Sequence, residues 1–361
     1  MNKKILALAI PNILTNLSMP LLGIVDTALM GRLDNIAYLG AIAIGSMIFN
    51  FVYWLFGFLR MGTTGFTAQA HGENQPETLS LHLIRPLCIA LLIALVILIL
   101  QVPLAHLSFA LIHTTPEVEA FTREYFFIRI WAAPATLMLY VLNGWFLGRQ
   151  NARFPMYMAL VINSVNICAN LYFVKHLGLN AAGVAWGTLI AQYTGLILGM
   201  VLLLCRYRKL IPYFWSSLGQ WSGFNRFFQV NRDIFIRTLC LLATFSFFTA
   251  ESARLGETTL AVNTILLQFW TVMAYGIDGF AFAAESLVGN YLGAGERDTL
   301  KQVIKVLFYW GQGLGLLIAL IYFCFFADLF YIFTDKHELL MAALPYLGWV
   351  VLGPIVNTSC F

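Results

Sequence analysis

Residues 182–204 read AGVAWGTLIAQYTGLILGMVLLL, twenty-three positions without a charge. A helix needs roughly 20 mostly apolar residues to cross a ~30 Å hydrocarbon core, and this stretch supplies them. Runs of the same kind recur on either side, nearly unbroken at 87–100 and 303–327. Ten apolar segments can be traced, at 5–31, 36–64, 81–103, 119–148, 154–174, 182–205, 233–253, 258–291, 302–327 and 339–361. Sixty per cent of the 361 residues are hydrophobic and only 11% are charged, with a mean hydropathy of +0.79. A soluble fold of that size has too little interior for so much apolar surface, because its outside must be polar. The expected class is an all-α integral membrane protein with about ten helices.

The net charge of +4 is a topology signal rather than a nucleic-acid one, because the basic residues sit in loops between apolar segments. The longest polar connection, 206–232, holds Arg206, Arg208, Lys209, Arg226 and Arg232. It reads as a basic linker between an N-terminal six-helix lobe, 1–205, and a C-terminal lobe, 233–361. Lys3, Lys4, Arg149, Arg153, the linker, Arg297, Lys301 and Lys305 sort to one side of the membrane. Arg32, Lys175, Arg254 and Lys336 sort to the other. Basic loops stay cytoplasmic, which places the amino terminus and the linker inside. The second connection, with His71, Glu73 and Glu77, contributes little positive charge. The first segment has no small-residue cleavage site and reads as a spanning helix, not a leader. Six scattered cysteines (Cys88, Cys168, Cys205, Cys240, Cys324, Cys360) lack disulfide or metal spacing and read as packing residues.

An internal repeat organises the segments. Laying residue 32 on residue 254 matches Thr27-Ala28 and Arg32-Leu33 with Thr249-Ala250 and Arg254-Leu255. With one residue of slippage, Gly72, Glu77, Thr78 and Leu79 fall on Gly293, Asp298, Thr299 and Leu300, and Pro134 answers Pro354. Six spans separate the copies, so both run in the same direction and two homologous bundles should flank a cavity. The second copy stops four helices in; the repeat expects the rest of that helix and two more, as if the chain were truncated in its tenth helix.

Several stretches carry a family resemblance. They are Val25-Asp26-Thr27 with Gly31-Arg32-Leu33, FLRMGTTGFTAQ at 58–69, LNGWFLGR at 142–149, Asp278-Gly279-Phe280-Ala281 with Glu285, and VGNYLGAG at 288–295. Together they resemble the multidrug and toxic-compound extrusion (MATE) family in its DNA-damage-inducible (DinF-type) branch, from about residue 5 to the last. The resemblance implies two six-helix lobes in the cell (inner) membrane and a monomer. It also implies antiport of H⁺, ahead of Na⁺, against small organic cations or amphipathic drugs by alternating access. No cofactor is implied beyond the coupling ion.

Asp26 is the leading coupling candidate, since the family's first-helix acid falls here. A carboxylate in an apolar helix is costly; it can hold a proton or face a cationic drug, but not both comfortably. That competition is the minimum requirement for antiport. A structural Asp satisfied by Thr27 or by neighbouring asparagines is the alternative. Asn163, Asn166 and Asn170 share one face of the fifth segment by helical spacing. Relatives of this branch carry Asn at the position of Asn166 but Asp at that of Asn170. This chain thus has one titrating carboxylate there where they have two. Asp26 then acts alone, acids of the other lobe take over, or coupling is lost; three amides simply bridging helices is an equal reading.

Arg60, Asp278 and Glu285 form a second polar set inside apolar stretches. The repeat puts Arg60 level with Ala281, and the two acids lie seven residues apart on one helix face. Arg60 is expected to pair with one of them across the lobe interface, as a gate or to hold register. For a substrate cavity, Tyr38 and Tyr53 offer aromatic faces to cations and Met30 an adaptable side chain. Thr249 enters by repeat position, and Glu251 either faces the cavity or reaches water beside Arg254. Pro11 and Pro20 are possible bends in the first helix, and Gly289 with Gly293 makes a small-xxx-small face for close helix contact. Two other functions compete: a lipid-precursor flippase, which would favour a strongly cationic cavity, and a truncated membrane protein without transport. No nucleophile–base or metal-ligand constellation points to an enzyme.

Overall fold

The computed structural model describes residues 1–30, 35, 37–112, 114–217 and 224–360, apart from the side chains at 19–22, 24, 27, 28, 30, 215–217 and 224–226. Met30, Pro20, Thr27 and Arg226 therefore have described backbone only, and Arg32 and His113 lie outside the described residues. The helices are α1 (Asn2–Met30), α2 (Ala37–Leu55), α3 (Phe58–Gly72), α4 (Pro76–Ile99), α5 (Gln101–Leu111), α6 (Pro116–Arg129), α7 (Ala133–Gly148) and α8 (Arg153–Lys175). There follow α9 (Asn180–Arg206), α10 (Ile211–Ser217), α11 (Phe224–Arg254), α12 (Glu257–Gly293), α13 (Arg297–Tyr331), α14 (His337–Ala343) and α15 (Leu347–Thr358). Nine helical stretches among the described residues are long and apolar enough to cross a membrane. The one expected segment outside these nine is the first, α1, whose 29 residues suffice at ~1.5 Å each. It carries Asn12, Thr15, Asn16, Ser18 and Asp26, and it packs against both α8 and α12.

Three expectations are corrected. The connection over 206–232 is shorter than its composition suggests, since a 3₁₀ turn at Arg208–Leu210, α10 and the start of α11 at Phe224 occupy much of it. Arg232 sits on α11 and pairs with Asp233 at 3.1 Å. Apolar runs mark the depth of hydrocarbon, whereas backbone hydrogen bonding carries a helix on into polar sequence. The fourth and tenth segments are each broken by a 3₁₀ turn, at Ile130–Ala132 and Leu344–Tyr346. All six cysteines are exposed, five on helix surfaces and Cys360 just past α15, rather than packed in the core; lipid accepts a thiol as readily as a protein interior does.

The 58–69 stretch becomes a packing hub. α2 stops at Leu55, and the turn through Phe56 and Gly57 closes with i→i−3 bonds, Leu59 N to Phe56 O at 3.0 Å and Arg60 N to Gly57 O at 3.1 Å. α3 then presents Thr63, Thr64, Thr67 and Ala68, all fully buried. Small residues let backbones approach, and two partners use this. Gly144 and Gly148 of α7 lie against the Arg60 carbonyl and the Thr64 carbonyl, and Gly293 of α12 lies against the Gln69 backbone. Gly72 in turn meets the Asn290 carbonyl. Trp145, fully buried, donates its indole N–H to the Leu79 carbonyl at 3.1 Å.

The buried apolar residues form three clusters. One joins α2, α4, α6, α7, α8 and α9. A second lies within α12, α13 and α14. Between them, Ile5, Leu8 and Ala9 of α1 pack with Phe280, Ala283 and Leu287 of α12, Val303 and Leu307 of α13, and Leu147 at the end of α7. The amino-terminal half of α1 is thus docked on the second half of the chain, with Asn16 Nδ2 donating to the Tyr275 carbonyl at 3.4 Å.

Candidate functional site

The carboxyl-terminal half of α1 turns to the other side. Ser18 Oγ receives Asn163 Nδ2 at 2.9 Å and donates to the Thr15 carbonyl at 2.7 Å. Eight residues on, Asp26 Oδ1 accepts from Asn170 Nδ2 at 2.7 Å. The same amide nitrogen donates to Asn166 Oδ1 at 2.9 Å, so both of its hydrogens are used and the amide orientation is set. Asn166 Nδ2 donates to Thr188 Oγ1 at 3.0 Å, and Thr188 passes its hydrogen to the Val184 carbonyl at 2.8 Å. Asn166 and Asn170 are fully buried, while Asp26 is half-buried. Every donor runs one way, toward a backbone carbonyl or toward Asp26, the one ionisable group in the network. Gly187 of α9 makes room for Asn170, because a methyl group there would overlap its side-chain oxygen.

The second polar set is also brought together. Arg60, in the first turn of α3, places Nη1 3.5 Å from Glu285 Oε2. Its guanidinium lies over the Phe282 ring at 3.9 Å, a cation–π contact that fixes its plane. Asp278, one face and two turns away, is half-buried and within the electrostatic reach of Arg60. Arg237 of α11 is a further cation acting on Glu285 and places Nη2 3.3 Å from Met61 Sδ. The pair joins α3 to α12, and reversing both charges tests it. Arg60→Glu and Glu285→Arg alone should each reduce protein yield or transport, and the double variant should regain most of the loss. A double variant as poor as the singles would count against the pairing.

The described substrate-cavity candidates each have their own neighbours. Tyr38 stacks edge-on against Phe121 at 4.6 Å and accepts from Asn180 Nδ2 at 3.0 Å. Tyr53 is in the core, 5% exposed, under the guanidinium of Arg129 at 5.5 Å. Its aromatic face is therefore taken by an internal cation. Thr249 is exposed and bonds back to the Phe245 carbonyl at 2.9 Å, and Glu251 pairs with Arg254 at 2.9 Å. Met30's side chain lies outside the described residues. Sequence reading missed Thr188, Ser18, Arg129 and Arg237; the rule that singled out Arg60, a polar group inside an apolar run, would have found all four.

The MatE family profile matches this chain at residues 11–172 and again at 234–361. The chain belongs to the MatE family. The two matched stretches fall in the register of the internal repeat. DNA damage-inducible protein F of Escherichia coli K12 is 36% identical over 366 residues, spanning all of this chain and 79% of that protein. The chloroplastic Protein DETOXIFICATION 44 of Arabidopsis thaliana is 25% identical, over 99% of this chain and 70% of its own length. Among solved structures, a crystal structure of MATE in complex with MaD3S superposes with a TM-score of 0.86 at 20% identity, covering 98% of this chain and 80% of that one. An outward-facing multidrug resistance MATE transporter gives 0.84 at 19% identity, covering 99% and 80%. These likenesses establish the fold of a MatE-family transporter, a multi-pass membrane protein and not an enzyme.

Proposed function

We propose that this MatE-family chain is a cation-coupled antiporter, using H⁺ ahead of Na⁺, that exports cationic or amphipathic organic compounds by alternating access. It would sit as a monomer in the cell's inner membrane, amino terminus and basic loops on the cytoplasmic side, with its two halves (1–205 and 233–361) acting as lobes. The observation that carries the reading is the place of Asp26 on a helix shared between those halves. Its amino-terminal part is docked on α12 and α13, and its carboxyl-terminal part is held to α8 by amide hydrogen bonds. Asn170 occupies one oxygen of Asp26; the other, which takes no hydrogen bond from the described residues, would receive a proton or face an organic cation.

The cycle follows from charge. A cationic compound shares the site with ionised Asp26. A proton arriving from outside neutralises the carboxylate, and the cation, its counter-charge gone, leaves outward. Asn170 and Asn166 stay neutral throughout, so proton and substrate compete for a single negative charge. Releasing the neutral carboxyl's proton inward resets the site. Because α1 bridges both halves, a change of charge at Asp26 alters the contacts that α1 makes with each.

Proteoliposomes of the full chain test this. An imposed pH gradient should drive movement of a fluorescent organic cation, and a protonophore should stop it. Movement driven by a Na⁺ gradient alone would replace the coupling ion. No movement under either gradient would overturn the reading.

A further inference from the structure

A cavity of about 1250 Å³ opens between the α7–α8 connection and the chain following α9. Five cations line it. Arg149 lies in the α7–α8 connection and Arg153 opens α8, while Arg206 ends α9 and Arg208 and Lys209 lie in the 3₁₀ turn after it. No carboxylate is among its lining residues. Among the described residues, none of the five has an acidic partner. Placing basic loops on one side of a membrane requires only that they be on that side; it does not require two loops fifty residues apart to converge on one hollow.

Arg149 is the inner member of the set. Its Nη1 lies 2.8 Å from His71 Nδ1, which must accept because a guanidinium only donates. Its plane lies 5.2 Å from the Tyr207 ring centre. Its Nε is buried behind the guanidinium and lacks an acceptor among the described residues, so the positive charge that Arg149 brings to the cavity wall is not fully met from within the protein. Guanidinium forks match phosphate oxygens two at a time, so a phosphate-bearing anion would find paired donors in the lining arginines and relieve the repulsion among the five cations.

Location indicates the source. The cavity lies where α8 begins and α9 ends, and the neighbouring helix surfaces are apolar and exposed: Leu160 at 50%, Val201 at 49% and Leu204 at 45%. Acyl chains lying along that surface would bring their headgroup to the level of the five cations. Basic pockets between spanning helices at this level suit anionic headgroups, and the volume exceeds the roughly 300–1,000 Å³ of ordinary small-molecule pockets. We propose that this cavity binds a phosphate ester, supplied by the headgroup of an anionic phospholipid, with a two-phosphate headgroup filling it best.

Native mass spectrometry of the purified full chain tests the site with four probes: tetraoleoyl cardiolipin, dioleoylphosphatidylglycerol, dioleoylphosphatidylcholine and water-soluble glycerophosphoglycerol. Cardiolipin should bind best and phosphatidylcholine worst. Arg206→Gln/Arg208→Gln/Lys209→Gln, all at exposed positions, should weaken cardiolipin about tenfold or more. Arg297→Gln/Lys301→Gln/Lys305→Gln removes three exposed charges outside the cavity and should leave binding within about twofold. Glycerophosphoglycerol binding as tightly as the lipid, with the same loss in the cavity variant, would keep the phosphate site and assign it to a soluble ligand. Equal losses in both triple variants, or no preference for anionic over zwitterionic lipid, would overturn the proposal.

Discussion

Asp26→Asn is expected to reduce efflux of a fluorescent cation, from energised cells lacking their own pumps, to the level of cells without the chain. The substitution keeps the side chain's shape. Its oxygen still accepts the hydrogen bond that Asn170 gives Asp26 at 2.7 Å, so expression and melting temperature should stay at parental values. Only the charge and the proton-binding site are lost. Among the described residues no acid stands in, because the groups linked to Asp26 are the amides of Asn170 and Asn166 and the hydroxyl of Thr188. Efflux equal to the parent's would remove Asp26 from the mechanism and send attention to Asp278 and Glu285. Lost efflux with lost expression would point instead to a structural carboxylate.

Gly293→Ala should have the largest effect on folding. A methyl group there would run into the Gln69 backbone of α3, and a backbone cannot rotate aside as a side chain can. Overpacking of a tight contact costs about 1–3 kcal/mol. The same change at Gly313, where a methyl group meets nothing within 4 Å, should be neutral or stabilising, by up to about 1 kcal/mol from helix propensity. Melting of the detergent-solubilised chain, followed by fluorescence-detected gel filtration, separates the two. A Gly293→Ala protein as stable as Gly313→Ala would refute the close crossing of α3 and α12.

Much of this architecture was legible beforehand. Each spanning helix announced itself as an apolar run of membrane length, and Gly289 with Gly293 announced a close crossing by spacing alone, though not the partner. Arg60 stood out because a cation in an apolar stretch demands an acid. Which acid it takes was not legible. Asp278 and Glu285 share a face two turns apart, and the choice of Glu285 depends on how far α3 is displaced along α12, an offset set by the glycine crossing. Tyr53 shows the same limit, because an aromatic ring in a spanning helix looks the same in sequence whether it faces a cavity or an internal arginine.

The sequence by itself determined the class, the spans, the repeat and the residues whose polarity must be explained. Those follow from one solvent property: hydrocarbon accepts neither charge nor unpaired backbone, and both leave a periodic trace in the chain. Only the tertiary structure decided which polar groups meet. It joined Asn170 to Asp26, divided α1 between two halves, left six cysteines on the surface and drew Arg149 and Arg206 to one cavity. Lipid is as apolar as a protein interior, so hydrophobicity cannot tell a side chain that faces the bilayer from one that faces a neighbouring helix; only the packing of the helices does.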